Sequence, residues 1–158
     1  MRISLLAPAL LSMLATGPAV SAEAMPTLVP LSSADQPQEC GCSFGAKKGE
    51  TLLFWRWEDD KQHALIREES GGLRKLQLYS EKYFPAQHEP PRPGDRMTLL
   101  FSYANWNIQT ASEVSRACSP KEKRCVGTDY RNLIVLQWSG RQRTELRGWA
   151  HCGCPATK

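Results

Sequence analysis

Beyond residue 50 the chain alternates between apolar and polar positions with a period near two, the signature of half-buried strands. Met97, Leu99, Phe101 and Tyr103 interleave with Thr98, Leu100 and Ser102. Leu76 and Leu78 likewise oppose Lys75 and Gln77 within Leu73–Tyr79. Thr51–Trp57 (TLLFWRW) is apolar on both faces, as a central strand is, and His63–Glu68 forms the next strand. Polar or glycine-bearing turns separate these runs at Glu58-Asp59-Asp60-Lys61 and Ser70-Gly71-Gly72. Connections this short join antiparallel neighbours, so the three strands predict a meander. A proline-rich stretch, Ser80–Asp95, reads as a surface loop. The pair Leu133–Trp138 and Gln142–Ala150 reads as a hairpin around Ser139-Gly140.

One stretch predicts a helix near 110–118. Thr110-Ala111-Ser112-Glu113 fits a capping box, and Val114, Ala117 and Cys118 then share a face. The fold class expected is all-β: a small single-domain antiparallel barrel. With the helix, its layout is similar to that of an oligonucleotide/oligosaccharide-binding (OB) barrel. A β-sandwich is the alternative.

The N-terminus narrows the setting. Arg2, an apolar run from Ile3 to Ala15, the Gly17-Pro18 break and the small residues Val20-Ser21-Ala22 have the three zones of a cleavable signal peptide. The apolar run falls short of the ~20 residues that span a bilayer, and no later segment is long enough. The expected product is therefore periplasmic or secreted, without a transmembrane segment after cleavage over residues 1–22. Residues 23–39 read as a flexible arm, 40–154 as one disulfide-braced β domain, and 155–158 as a tail. The formal charge of +4 drops by one with Arg2, too small to imply nucleic acid. Basic residues nonetheless gather after Thr110, with Arg116, Lys121, Lys123, Arg124 and Arg131 near one loop.

Six cysteines in an exported chain point first to disulfides. Cys118 and Cys125 bracket a short loop and make a simple bridge. Cys40-Gly41-Cys42 opens the folded body and Cys152-Gly153-Cys154 closes it. In an extended strand each triplet presents two sulfurs on one face. Antiparallel ends would form Cys40–Cys154 and Cys42–Cys152 in a single register, whereas parallel ends would join Cys40 to Cys152 and Cys42 to Cys154. Two other chemistries suit the same residues. Cys40, Cys42, Cys152 and Cys154 have the composition of a thiolate metal site. His151 beside Cys152 and Cys154 suits thiol–disulfide exchange.

The three histidines, His63, His88 and His151, fall in no known catalytic motif, which disfavours an enzyme. No cofactor is implied. Five tryptophans fill a core or furnish an aromatic surface, and Trp106, between Asn105 and Asn107, is the one expected at the surface. The function expected is an exported, non-enzymatic binding or inhibitor-type protein of the bacterial envelope, its rigid β scaffold presenting loops to a macromolecular partner. Trp106, Lys121, Lys123, Arg124 and Arg131 are the candidate contacts. The partner expected is a protein or an anionic envelope polymer.

Overall fold

A computed structural model of the chain describes residues 23–36, 38–58, 61–85, 91–118 and 127–154. Nine strands follow one another: β1 (Leu28–Val29), β2 (Gly41–Gly45), β3 (Leu53–Glu58), β4 (Lys61–Glu68), β5 (Gly72–Phe84), β6 (Arg96–Tyr103), β7 (Trp106–Arg116), β8 (Gly127–Trp138) and β9 (Gln142–Gly153). From β2 to β9 each strand pairs antiparallel with its sequence neighbour. β9 then returns to β2 and closes the sheet. The result is an eight-stranded antiparallel barrel with β1 as an added strand on β4.

Period-two alternation builds the wall, because successive side chains point to opposite faces. Phe44, Trp55, Ile66, Leu99, Phe101 and Ile108 are among the side chains buried inside. An eight-stranded barrel is just wide enough for side chains to fill it, and three large indoles do much of the filling here. Trp106 meets Trp138 edge-on at 5.0 Å. Trp55 meets Phe101 in the same manner at 6.3 Å. The outer wall carries charged residues, the reverse of a lipid-facing barrel. Among the described residues no helix is long and apolar enough to cross a membrane.

The helix expected near 110–118 is a strand. Residues 106–116 form β7, with Ile108, Thr110, Ser112 and Val114 buried and Gln109, Ala111 and Glu113 facing out. Strands on both sides, β6 and β8, engage the backbone of Thr110–Glu113, so the capping box has no free amides to cap. The barrel is accordingly a plain meander with no helix among the described residues, not an OB path. One continuous closed sheet also excludes the sandwich. The expected loop at 80–95 is shorter than its sequence suggests, since β5 runs through Ser80 to Phe84.

The termini meet as the cysteine spacing requires for antiparallel ends. Gly41 lies opposite Gly153 and Cys42 opposite Cys152. Both bridges form, Cys40–Cys154 and Cys42–Cys152, each with Cα atoms 4.0 Å apart. Cys118 is also disulfide-bonded, while its expected partner Cys125 lies outside the described residues.

The segment before β2 lies against the barrel. Thr27 and β1 meet the end of β4, and Leu31 packs on the outward side chains Phe54 and Leu65. Asp35 then pairs with Arg67, and Glu39 with Arg56 at 3.2 Å, before the chain turns into Cys40.

Candidate functional site

Of the residues expected to make contacts, Trp106 and Arg131 are described, and they face opposite sides of the barrel wall. Trp106 is a correction: only 1% exposed, it belongs to the core. Its flanking asparagines suggested a surface, but it follows the two-residue turn Ala104-Asn105, and register turns the indole inward. The indole Nε1 donates to the buried carboxylate of Glu68 at 2.8 Å, and Arg74 donates to the other oxygen at 2.9 Å. Lys121, Lys123 and Arg124 lie outside the described residues. Arg131 is on the outer wall, exposed, beside residues that the sequence did not group with it.

The structure also bears on the two alternative chemistries of the cysteines. Cys40, Cys42, Cys152 and Cys154 are consumed in disulfides, which leaves these four without a thiolate for a metal. No His, Cys, Asp or Glu cluster able to hold a metal occurs among the described residues. For exchange chemistry, the bridges run between strands rather than within a triplet. Alternation also sends His151 to the opposite side of β9 from Cys152.

His151 instead meets Asp129 on β8, with Nδ1 2.7 Å from Oδ1. Ser43 on β2 occupies the same row on the other side, so Ser43, His151 and Asp129 are aligned across three strands. The imidazole leans toward β8: a Cβ placed on Gly127 would stand 2.8 Å from its Nε2. The described bonds of the ring are to Asp129, not to Ser43. The row holds an oriented histidine without an engaged hydroxyl.

One step along the strands lies a row of different character. Phe84 faces Arg96, Arg96 faces Glu113, Glu113 faces Arg131, and Arg131 faces Trp149, each pair on adjacent strands. Strands stand about 4.8 Å apart, so the row spans roughly 19 Å of wall. Its centre is a charge ladder. The Glu113 carboxylate accepts from Arg96 Nε at 3.3 Å and from Arg131 Nη2 at 2.9 Å. The next row sets Thr98, Ala111, Leu133 and Arg147 side by side. Ala111 is the smallest of these, and the wall dips over it into an open depression of about 530 Å³.

The depression therefore has an apolar floor of Ala111 and Leu133, the Arg96–Glu113–Arg131 ladder along one side and Arg147 at the β9 end of the floor row. Three arginines against one carboxylate leave it cationic by about two charges. Glu113 is shared between two of them, whereas Arg147 has no ion-pair partner among the described residues. Guanidinium groups are weakly hydrated and present a planar fork, so this arrangement suits carboxylate, sulfate or phosphate groups.

The flanking aromatics differ. Phe84 is 73% exposed, while Trp149 is tied down by its indole nitrogen donating to the Lys47 carbonyl. Inside the barrel near the same end, burial pushes the Tyr83 phenol up to about 12, with Glu81 adding to the effect. Burial, and then Asp95, raise Tyr130 as well. Both phenols stay neutral at ordinary pH and leave the wall's charge to the arginines.

No family model, curated protein or solved structure matches the chain. The depression was missed in the sequence because its residues come from four strands. The charge bias after Thr110 points to Arg131 and to Arg147 near the end of the chain, but not to their meeting on one wall.

Proposed function

We propose that this chain is an exported, non-enzymatic binding protein whose rigid barrel engages a macromolecular partner bearing anionic groups. The observation that carries this reading is the arginine-lined depression on the outer wall of β6–β9. Two further features support it. Disulfides at the joined ends are compatible with an oxidising, extracytoplasmic setting. Exposed Phe84 beside Arg96 supplies the aromatic and arginine pairing that dominates protein contact sites. The wall, rather than the loops alone, is then the contact surface.

A site-specific photo-crosslinker tests this in the producing cell. Placed at Thr98, within the depression, it is expected to give one discrete adduct. The same group at Gln77, on the wall of β5, is expected to give none. Combined Arg131→Glu and Arg147→Glu substitutions should abolish the Thr98 adduct. Equal labelling at both positions, or no loss on charge reversal, overturns the reading.

A further inference from the structure

We infer that the depression is a receptor for an acidic peptide segment, with one partner carboxylate seated between Arg131 and Arg147. This rests on the proposed binding role and names the ligand class for it. The geometry is set by register. Leu133 lies opposite Arg147, and Arg131 lies two residues along β8 on the same outer face. Arg131 and Arg147 are thus diagonal neighbours, ~7–8 Å apart at the backbone and within reach of one carboxylate through their long side chains.

The floor beside them distinguishes one class of anion from another. Ala111 and Leu133 offer apolar surface where the methylenes of a glutamate would lie, below the guanidinium groups. A bare inorganic anion gains nothing from that floor. A polyphosphate would suit an all-cationic track, but here Glu113 stands in the middle of the ladder and repels a continuous line of negative charge. An acidic side chain with apolar neighbours fits both features: its carboxylate meets the arginines, and the neighbours meet Phe84 and the floor.

Glu113 has a second consequence. It already holds Arg131 at 2.9 Å, so an incoming carboxylate competes with it for that guanidinium. Arg147 bears no such restraint and provides the first point of capture. Removing the Glu113 charge should therefore tighten binding, while removing Arg147 should weaken it. A merely structural role for these exposed residues predicts neither change, since exposed ion pairs contribute little to stability.

The test uses the oxidised mature chain, titrated with an octapeptide that alternates glutamate and alanine and followed by the backbone amide resonances of Arg131, Leu133 and Arg147. Oligogalacturonate of matched charge serves as the glycan comparison and an octapeptide alternating lysine and alanine as the control. The acidic peptide should shift those resonances with an affinity that falls as salt rises. Arg147→Gln should weaken it by about tenfold or more, the scale of a lost charge-assisted contact. Glu113→Gln should strengthen it several-fold. If oligogalacturonate binds equally well with the same response to both variants, the peptide assignment is overturned and a glycan carboxylate takes its place. Absence of binding by the acidic peptide, or indifference to both variants, overturns the site. The crosslink at Thr98 stands or falls separately, so failure here remains distinguishable from failure of the binding role.

Discussion

At the scale of single residues, the outer wall is held by charge pairs whose worth depends on position. Arg67 and Asp35 show this best. Arg67 lies on β4, Asp35 lies in the segment that crosses the wall outside it, and the two form a forked pair. Bonds from the Arg67 side chain, and then from the side chain and backbone of Ser32, hold the Asp35 carboxyl well below the usual carboxylate range. The pair raises Arg67 in return. A depressed acid contributes stability that is complete above its unfolded value of 3.8 and is lost as pH falls toward the folded value. Acid should therefore loosen the segment around Leu31. The protection of the Leu31 amide, which donates to the Thr51 carbonyl, measured against its intrinsic exchange rate, is expected to fall on passing below about pH 4. Asp35→Asn should give fast exchange already at neutral pH and remove that acid dependence. Unchanged exchange in the variant would show that the segment is held by Leu31 and β1 alone.

At the scale of elements, tight turns fix the register of the long hairpins. At Trp138–Arg141 both central residues, Ser139 at φ 49° and Gly140 at φ 68°, are left-handed, and Arg141 N donates to the Trp138 carbonyl at 3.1 Å. That is the primed geometry matched to strand twist. The β6–β7 turn places only its first central residue in the left-handed region, and that residue is Ala104 at φ 48°. A left-handed alanine costs about 1–2 kcal/mol, of which the extra flexibility of glycine would take back part. Ala104→Gly is thus expected to stabilise the barrel by about 0.5–1 kcal/mol, read as a higher midpoint in denaturant at unchanged slope. A lower midpoint would mean that the alanine methyl contributes more by contact than it costs in strain. The same turns explain what was legible beforehand. Counting back from Trp138 opposite Gln142 places Arg131 opposite Trp149, so half of the charge ladder follows from one turn. The other half follows from the β6–β7 turn, since counting from Tyr103 opposite Trp106 places Arg96 opposite Glu113; how β7 pairs with β8, which joins the two halves, is what local spacing does not encode. The capping-box pattern at Thr110–Glu113 misleads for a related reason: its local preference for helix is outweighed by ladders on both sides and by burial of Thr110.

At the scale of the whole molecule, closure joins the barrel's last strand to its first through the two cysteine triplets. The bridges span 114 and 110 residues of sequence, so each closes nearly the same loop. On the chain-entropy model the first bridge is worth about 4–5 kcal/mol, whereas the second removes little further freedom because the ends are already joined. The bridges differ in their surroundings. Cys42 is buried within the core, opposite Trp55 on β3, while Cys40 lies exposed just before β2 begins. Replacing Cys40 and Cys154 together by serine should therefore cost only about 1 kcal/mol, since Cys42–Cys152 still holds the ends. Replacing Cys42 and Cys152 should cost more, because a buried sulfur gives way to hydroxyls that need partners inside the barrel. Removing all four should cost more than the sum of the two pairs, since only then does the full loop entropy return to the unfolded chain. Denaturant midpoints of the three variants measure this coupling. Strict additivity would show that β2 and β9 stay joined in the unfolded state without either bridge, or that closure depends on the strand ladder rather than on the cysteines. Strong coupling would place the stability of the cationic wall under the same control, because β9, which carries Arg147 and Trp149, is the strand that the bridges fasten to β2.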